Sequence, residues 1–224
     1  DPRDSREAAL AYIAGHPAIR DVILSGGDPL MLPDAELDEI LSRLHAIPHV
    51  EMIRIGSRVP CHLPERITPE LCAMLRKFHP LFINTHFNHP DELTPAAVKG
   101  LGMLADAGIP LLSQSGLLKG VNDDIDVLEA LMRRFVELRV KPYYLHHADL
   151  APGTAHFRTT LADGQALMRE LRARASGLAQ PTYVVDIPGG YAKALAAASD
   201  LDCAASNGAR LRDSQGRWHD YSPE

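Results

Sequence analysis

Cysteine is scarce: Cys61, Cys72 and Cys203 are the three in 224 residues, and no Cys-x-x-Cys pair occurs. That sparsity excludes a disulfide framework and writes no thiolate metal site locally, a pattern that suits a reducing cytoplasm. Basic charge is not in excess either. With 23 Lys and Arg against 29 Asp and Glu, the formal net charge is -6, which removes the electrostatic footprint of a nucleic-acid binder. No apolar run approaches the length of a membrane span. The first residues, DPRDSREAAL, carry no initiator methionine, no signal-peptide apolar region and no Arg-rich targeting pattern, so the chain is expected to begin within a longer protein. Internal repeats, low-complexity segments and a Walker-type phosphate loop are also missing.

What is present is a regular alternation. The runs DVILSGG (21–27), VEMIRIGS (50–57), LFINTHF (81–87), IPLLSQS (109–115), VKPYYLHH (140–147) and TYVVDI (182–187) read as strands. Between them, residues 34–47, 68–78, 94–108, 124–139 and 164–177 place apolar side chains at helical spacing. Thr68 and Thr94, each followed by proline, read as N-caps. Gly108 and Gly177 read as helix stops. About six such βα units predict an α/β fold with a parallel sheet, a partial or full (β/α) TIM-like barrel. The catalytic core is assigned to residues 1–195. Residues 196–224 form a tail whose turn signals, at 206–208 and 213–216, predict a short hairpin.

Polar residues gather at the C-terminal ends of the expected strands, where a barrel carries its site. Ser25-Gly26-Gly27-Asp28 ends the first strand: paired glycines let backbone approach a ligand and Asp28 can accept from an ammonium, although a bare turn into a helix has the same composition. His86 and His89 follow the third strand, and His146, His147 and Asp149 follow the fifth. They read either as a divalent-metal set or as structural hydrogen-bonding groups. Asp149 and Asp186 lie on consecutive strand ends. Two converging carboxylates repel unless a cation sits between them, and a protonated amine would supply it. The stretch VVDIPGGYAK places Lys193 just beyond the Gly189-Gly190 turn. That lysine is either a solvated loop residue or an amine aimed back at the strand end, able to form an imine with an aldehyde such as pyridoxal phosphate.

The ordered blocks VILSGGDPLML, IRIGSRVP, NTHFNHP, SQSGLLKGVND, KPYYLHHADLAPGTAHFRT, SGLAQPTYVVDIPGGYAK and LRDSQGRWHDYSPE together resemble the lysine 2,3-aminomutase family. The resemblance implies a radical S-adenosylmethionine enzyme that also carries pyridoxal 5'-phosphate and moves the α-amino group of L-lysine, or of a close basic analogue, to the β-carbon. It implies a partial barrel of the radical S-adenosylmethionine type. Lys193 resembles the pyridoxal phosphate lysine, with Gly189 and Gly190 seating the cofactor, and Asp149 and Asp186 resemble the acids that grip the substrate's side-chain ammonium. Ser25, Gly26, Gly27 and Asp28 resemble the segment at the adenosylmethionine amino group. His86 and Gln114 resemble further cofactor-side residues.

The family's 4Fe-4S cluster is held by Cys-x-x-x-Cys-x-x-Cys, expected just upstream of Asp1, as is an arginine for the substrate carboxylate. Cys61 and Cys72 do not reproduce that spacing, so the chain is expected to be a fragment, inactive by itself, with no metal ligand among its assigned residues. PGGYAKAL also departs from the family's more glycine-rich turn and its proline after the lysine. The implied partners are a small amino acid, an electron donor for the cluster and further copies of the chain. Retention of both acids favours a basic substrate over glutamate. Three alternatives stand: an aminomutase that modifies a lysine of an elongation factor, a metal-dependent barrel hydrolase built on His86, His89, His146 and His147, and a non-catalytic cofactor-binding remnant.

Overall fold

Residues 2–189, 191–197, 201–202, 209–213 and 216–221 are described by the computed structural model. Gly190, Cys203 and the turn expected at 206–208 lie outside the described residues. The chain divides into two compact units, one of residues 1–87, 91–113 and 138–140, the other of residues 88–90, 114–137 and 141–224. Among the described residues no helix is long and apolar enough to cross a membrane.

In the first unit, β1 (Asp21–Leu24), β2 (Met52–Ser57), β3 (Leu81–Thr85) and the start of β4 (Leu111–Leu117) pair in parallel, each with the next. Because side chains alternate across a strand, the register sets rows of like character. Ile55, Ile83 and Leu111 align into a buried apolar row. Two residues further on, the row becomes Ser57, Thr85 and Ser113, all buried, so the sheet turns polar as it nears the strand ends. The Thr85 and Ser113 hydroxyls find no protein partner there.

Helix α1 (Pro2–Ala14) precedes β1, and α2 (Asp34–His45), the single turn α3 (Val59–His62), α4 (Pro69–Leu75) and α5 (Pro95–Asp106) lie between the strands in sequence. Leu37, Leu41 and Leu44 of α2, Leu71 and Leu75 of α4 and Leu101 and Leu104 of α5 are at most 1% exposed, each burial contributing roughly 1.5–3 kcal/mol. The expected caps form: Thr68 Oγ1 accepts from Leu71 N and Thr94 Oγ1 from Ala97 N, both at 3.2 Å. Gly108 ends α5's connection with a φ of +80°. Helix α1 has no counterpart among the expected elements.

The second unit holds the rest of β4, then α6 (Ile125–Glu137), β5 (Val140–His147, from residue 141), α7 (Leu161–Arg174), β6 (Thr182–Asp186) and β7 (Lys193–Leu195). Strands β5 and β6 pair in parallel, and β7 turns back antiparallel on β6. Leu128, Leu131, Met132 and Phe135 of α6 fall at i, i+3, i+4 and i+7 and are fully buried. Helix α7 opens on a capping box between Thr160 and Asp163. It stops at Arg174, three residues before the expected glycine: Ala175 is already extended, and the Gln180 side chain donates to its carbonyl at 2.8 Å. Gly177 instead begins a 3-10 turn. Asn122 is fully buried and fully satisfied, donating to the Asn88 and Gly116 carbonyls and accepting from Leu118 N, each at 2.8 Å. Beyond β7, β8 (Leu201–Asp202), β9 (Ala209–Arg212) and β10 (Trp218–Tyr221) form a small antiparallel sheet. On it the Arg210 and Arg212 guanidiniums each lie 5.4 Å from the Trp218 ring.

Candidate active site around Lys193

The β6–β7 register answers why a lysine follows the Pro-Gly-Gly turn. Ile187 N donates to Ala192 O at 2.9 Å and closes the loop, which makes Asp186 and Lys193 direct cross-strand partners. Opposed residues of an antiparallel pair carry their side chains on the same face. Lys193 Nζ accordingly lies 2.5 Å from Asp186 Oδ1, with both side chains part-exposed. The Lys193 ammonium holds the Asp186 carboxyl below the ordinary carboxylate range. Gly189 sits at a φ of +96°, a backbone conformation that favours glycine, and a Cβ there would also press on the exposed Tyr191 ring at 2.8 Å. Gly190 is outside the described residues.

His146 completes the cluster. Its Nδ1 lies 3.4 Å from Asp186 Oδ2, on the carboxylate oxygen that Lys193 leaves open. Burial, then the Lys193 cation, pushes the imidazole below its ordinary range, while Asp186 and Asp149 pull the other way. A histidine held neutral in the fold contributes stability that is complete above its unfolded value of about 6.5 and is lost as pH falls from there towards the lower folded value. In Lys193→Met the repelling cation is gone, so the His146 midpoint, followed by the imidazole proton resonances, is expected to move up. An unchanged midpoint would show that Lys193 does not act on it.

Asp149 stands apart from this ion pair. It is exposed, its carbonyl accepts from Arg158 Nε at 3.1 Å, and the ion pair of Lys193 is with Asp186 rather than with it. Its carboxylate reaches the cluster through its field on His146.

Ser25 and the two glycines after it are exposed, with Gly26 and Gly27 at φ of +88° and +58° and open space where their Cβ atoms would be. Asp28 is committed at home: Oδ1 accepts from Leu30 N at 3.1 Å and Ser57 Oγ at 2.7 Å, and Oδ2 accepts from Arg58 N at 2.7 Å. It therefore caps a turn and ties the Ser-Gly-Gly loop to the junction of β2 and α3. His86 follows β3 directly and is half-buried. Gln114 is half-buried within β4, on the face opposite Ser113 and Ser115.

The four-histidine set does not assemble. His146 and His147, as neighbours on a strand, face opposite ways: His147 Nδ1 bonds Tyr183 Oη at 2.8 Å while His146 faces Asp186. Among the described residues the group of three or more donors close enough for a metal is Cys61, His62 and Glu92, which no sequence pattern singled out.

No family model matches the chain. The L-lysine 2,3-aminomutase of Fusobacterium nucleatum is 54% identical over 192 residues, which cover 86% of this chain and 45% of that protein. The chain belongs to the lysine 2,3-aminomutase family. A member of different name, the glutamate 2,3-aminomutase of Clostridioides difficile, is 46% identical over 84% of the chain and 44% of its own length. The chain thus spans about half the length of the curated relatives it matches. A solved radical SAM methyltransferase from Sphaerobacter thermophilus superimposes with a TM-score of 0.57 at 18% identity, over 80% of this chain and 54% of the other. The expected α/β fold with a parallel sheet is borne out.

Proposed function

We propose that this chain is the greater part of the core of an aminomutase that moves the α-amino group of L-lysine, or a close basic analogue, to the β-carbon. The observation that carries the reading is Lys193 set 2.5 Å from Asp186 by a hairpin in a chain 54% identical to a named lysine aminomutase. Pyridoxal phosphate would supply a carbonyl that lets nitrogen pass between neighbouring carbons, and S-adenosylmethionine, reduced by a 4Fe-4S cluster, would supply the hydrogen-abstracting radical. Lys193 fits the first: its amine is part-exposed beside a glycine turn. The open Ser25–Gly27 loop fits the second. Cys61 and Cys72 do not fit a Cys-x-x-x-Cys-x-x-Cys cluster. Sparse cysteine and the need for reduced thiols support a cytoplasmic setting for the activity.

The residues act in sequence. Asp186 holds the Lys193 ammonium in the resting chain, and when Lys193 is engaged elsewhere the carboxylate is left without its cation. A substrate side-chain ammonium can then take that place, with His146 still fixing the second carboxylate oxygen and Asp149 adding negative potential. A glutamate side chain would instead bring a third carboxylate beside two, which is repulsive. The test is turnover by the full-length polypeptide, reconstituted with its cofactors and reductant, on free lysine and free glutamate. β-Lysine is expected, with kcat/KM for lysine falling about 10²-fold or more in Asp186→Asn, the loss of a charged partner being worth about 3 kcal/mol. Preference for glutamate, or turnover confined to a lysine within a folded elongation factor, would overturn the reading.

A further inference from the structure

Helix α3 is a single turn with both ends fastened. Its N-cap, Arg58, donates its backbone N–H to Asp28, and Cys61 N and His62 N donate to Arg58 O at 3.0 and 2.9 Å. Its own first two residues, Val59 and Pro60, are buried. The backbone therefore presents Cys61 and His62 from a fixed position. Glu92 reaches the same place from the turn after β3. One donor atom from each of Cys61, His62 and Glu92 lies within 4.8 Å of the others, and the Cys61 thiol donates to the Glu92 carboxylate.

The geometry points to a zinc-class divalent cation site formed by Cys61, His62 and Glu92. A thiolate, an imidazole and a carboxylate suit a borderline-soft cation that accepts S, N and O together, which calcium and magnesium do not. Bonds of 2.0–2.3 Å in a tetrahedron put donors about 3.3–3.8 Å apart, so donors that already lie within 4.8 Å of one another need to close by no more than roughly 1–1.5 Å. Three protein ligands leave a fourth position for water. Burial, then the Glu92 carboxylate, holds the Cys61 thiol up at about 11. The cation replaces that thiol proton, which goes to solvent as the Cys61 S–H bond breaks and the S–metal bond forms. Because α3 also carries the Arg58 contact to Asp28, an ion at its C-terminal end would stiffen the support of the Ser25–Asp28 loop. The site is independent of the aminomutase reading, and either can fail without the other.

The test uses the reduced, chelator-stripped 224-residue chain, titrated with zinc chloride and, as an absorbing stand-in, cobalt chloride. One equivalent per chain, a thiolate-to-cobalt charge-transfer band and protection of Cys61 from thiol reagents are expected. Cys61→Ser should abolish the band, and His62→Ala or Glu92→Gln should weaken binding about 10- to 100-fold or more. The His62 ring is exposed, so His62→Ala tests the site even if Cys61→Ser fails to fold. Absence of binding, or binding that is unchanged in His62→Ala and keeps its cobalt band in Cys61→Ser, would overturn the assignment.

Discussion

In Lys193→Ala, specific labelling by pyridoxal phosphate and borohydride is expected to disappear. The chain has four other lysines, Lys77, Lys99, Lys119 and Lys141, so the readout is the position of the fixed adduct by peptide mapping. Lys141 is the sharpest control, because burial lowers its pKa, which makes its amine more available as a nucleophile. Yet Lys141 Nζ donates to the Leu178 and Gln180 carbonyls, both at 3.0 Å, and stands beside no carboxylate partner comparable to Asp186. If reactivity followed basicity alone, Lys141 would carry the label. If it follows the site, Lys193 will. Loss of label in Lys193→Ala would not reflect unfolding, since a part-exposed ion pair of this kind contributes only about 0–1 kcal/mol. A folded variant that still labels like wild type would remove Lys193 from the anchoring role.

Much of this arrangement is legible in the sequence where local signals suffice. The six expected strands all form, because runs such as Val22-Ile23-Leu24 and Tyr183-Val184-Val185 are bounded by glycine, proline or acids that also mark their ends. Thr68 and Thr94 work as caps for a reason that needs no tertiary contact: a hydroxyl three residues before a free N–H. Strand β7 escapes notice because Lys193-Ala194-Leu195 has little strand character of its own and is held by its pairing with β6. Asp28 is read as an ammonium acceptor, but an aspartate before proline is equally a cap, and the fold uses its oxygens three times in that way. His146 and His147 look like a ligand pair in one dimension, whereas strand alternation sends them to opposite faces. Cys61 and Glu92 are separated by 31 positions, and only folding can bring them together.

Gly164→Ala is expected to destabilise the protein by more than any exposed-site change described above. The sign is not obvious, because alanine in a helix interior is favoured over glycine by about 1 kcal/mol. Space decides it. A Cβ at Gly164 of α7 would fall 2.0 Å from Tyr183 Oη, 2.5 Å from Cζ and 2.9 Å from Cε1. The ring cannot step aside cheaply: Tyr183 is 1% exposed, its hydroxyl is tied to His147 at 2.8 Å, and burial pushes that hydroxyl up to about 12. Overpacking a buried site costs about 1–3 kcal/mol, and a clash this close belongs at the upper end or beyond. A net loss of about 2 kcal/mol corresponds to a Tm lower by about 4–8 °C for a chain of this size. The mechanism makes a second demand, on a double-mutant cycle. In a Tyr183→Ala background the obstacle is gone, so Gly164→Ala should there be neutral or stabilising by up to about 1 kcal/mol. A Tm at the wild-type value in the single variant, or an equal loss in both backgrounds, would show that the contact between α7 and β6 is not what requires glycine. Because Tyr183 precedes Asp186 by three positions on β6, a displaced ring would also be felt at the Lys193 pair. The labelling yield at Lys193 should fall along with the Tm.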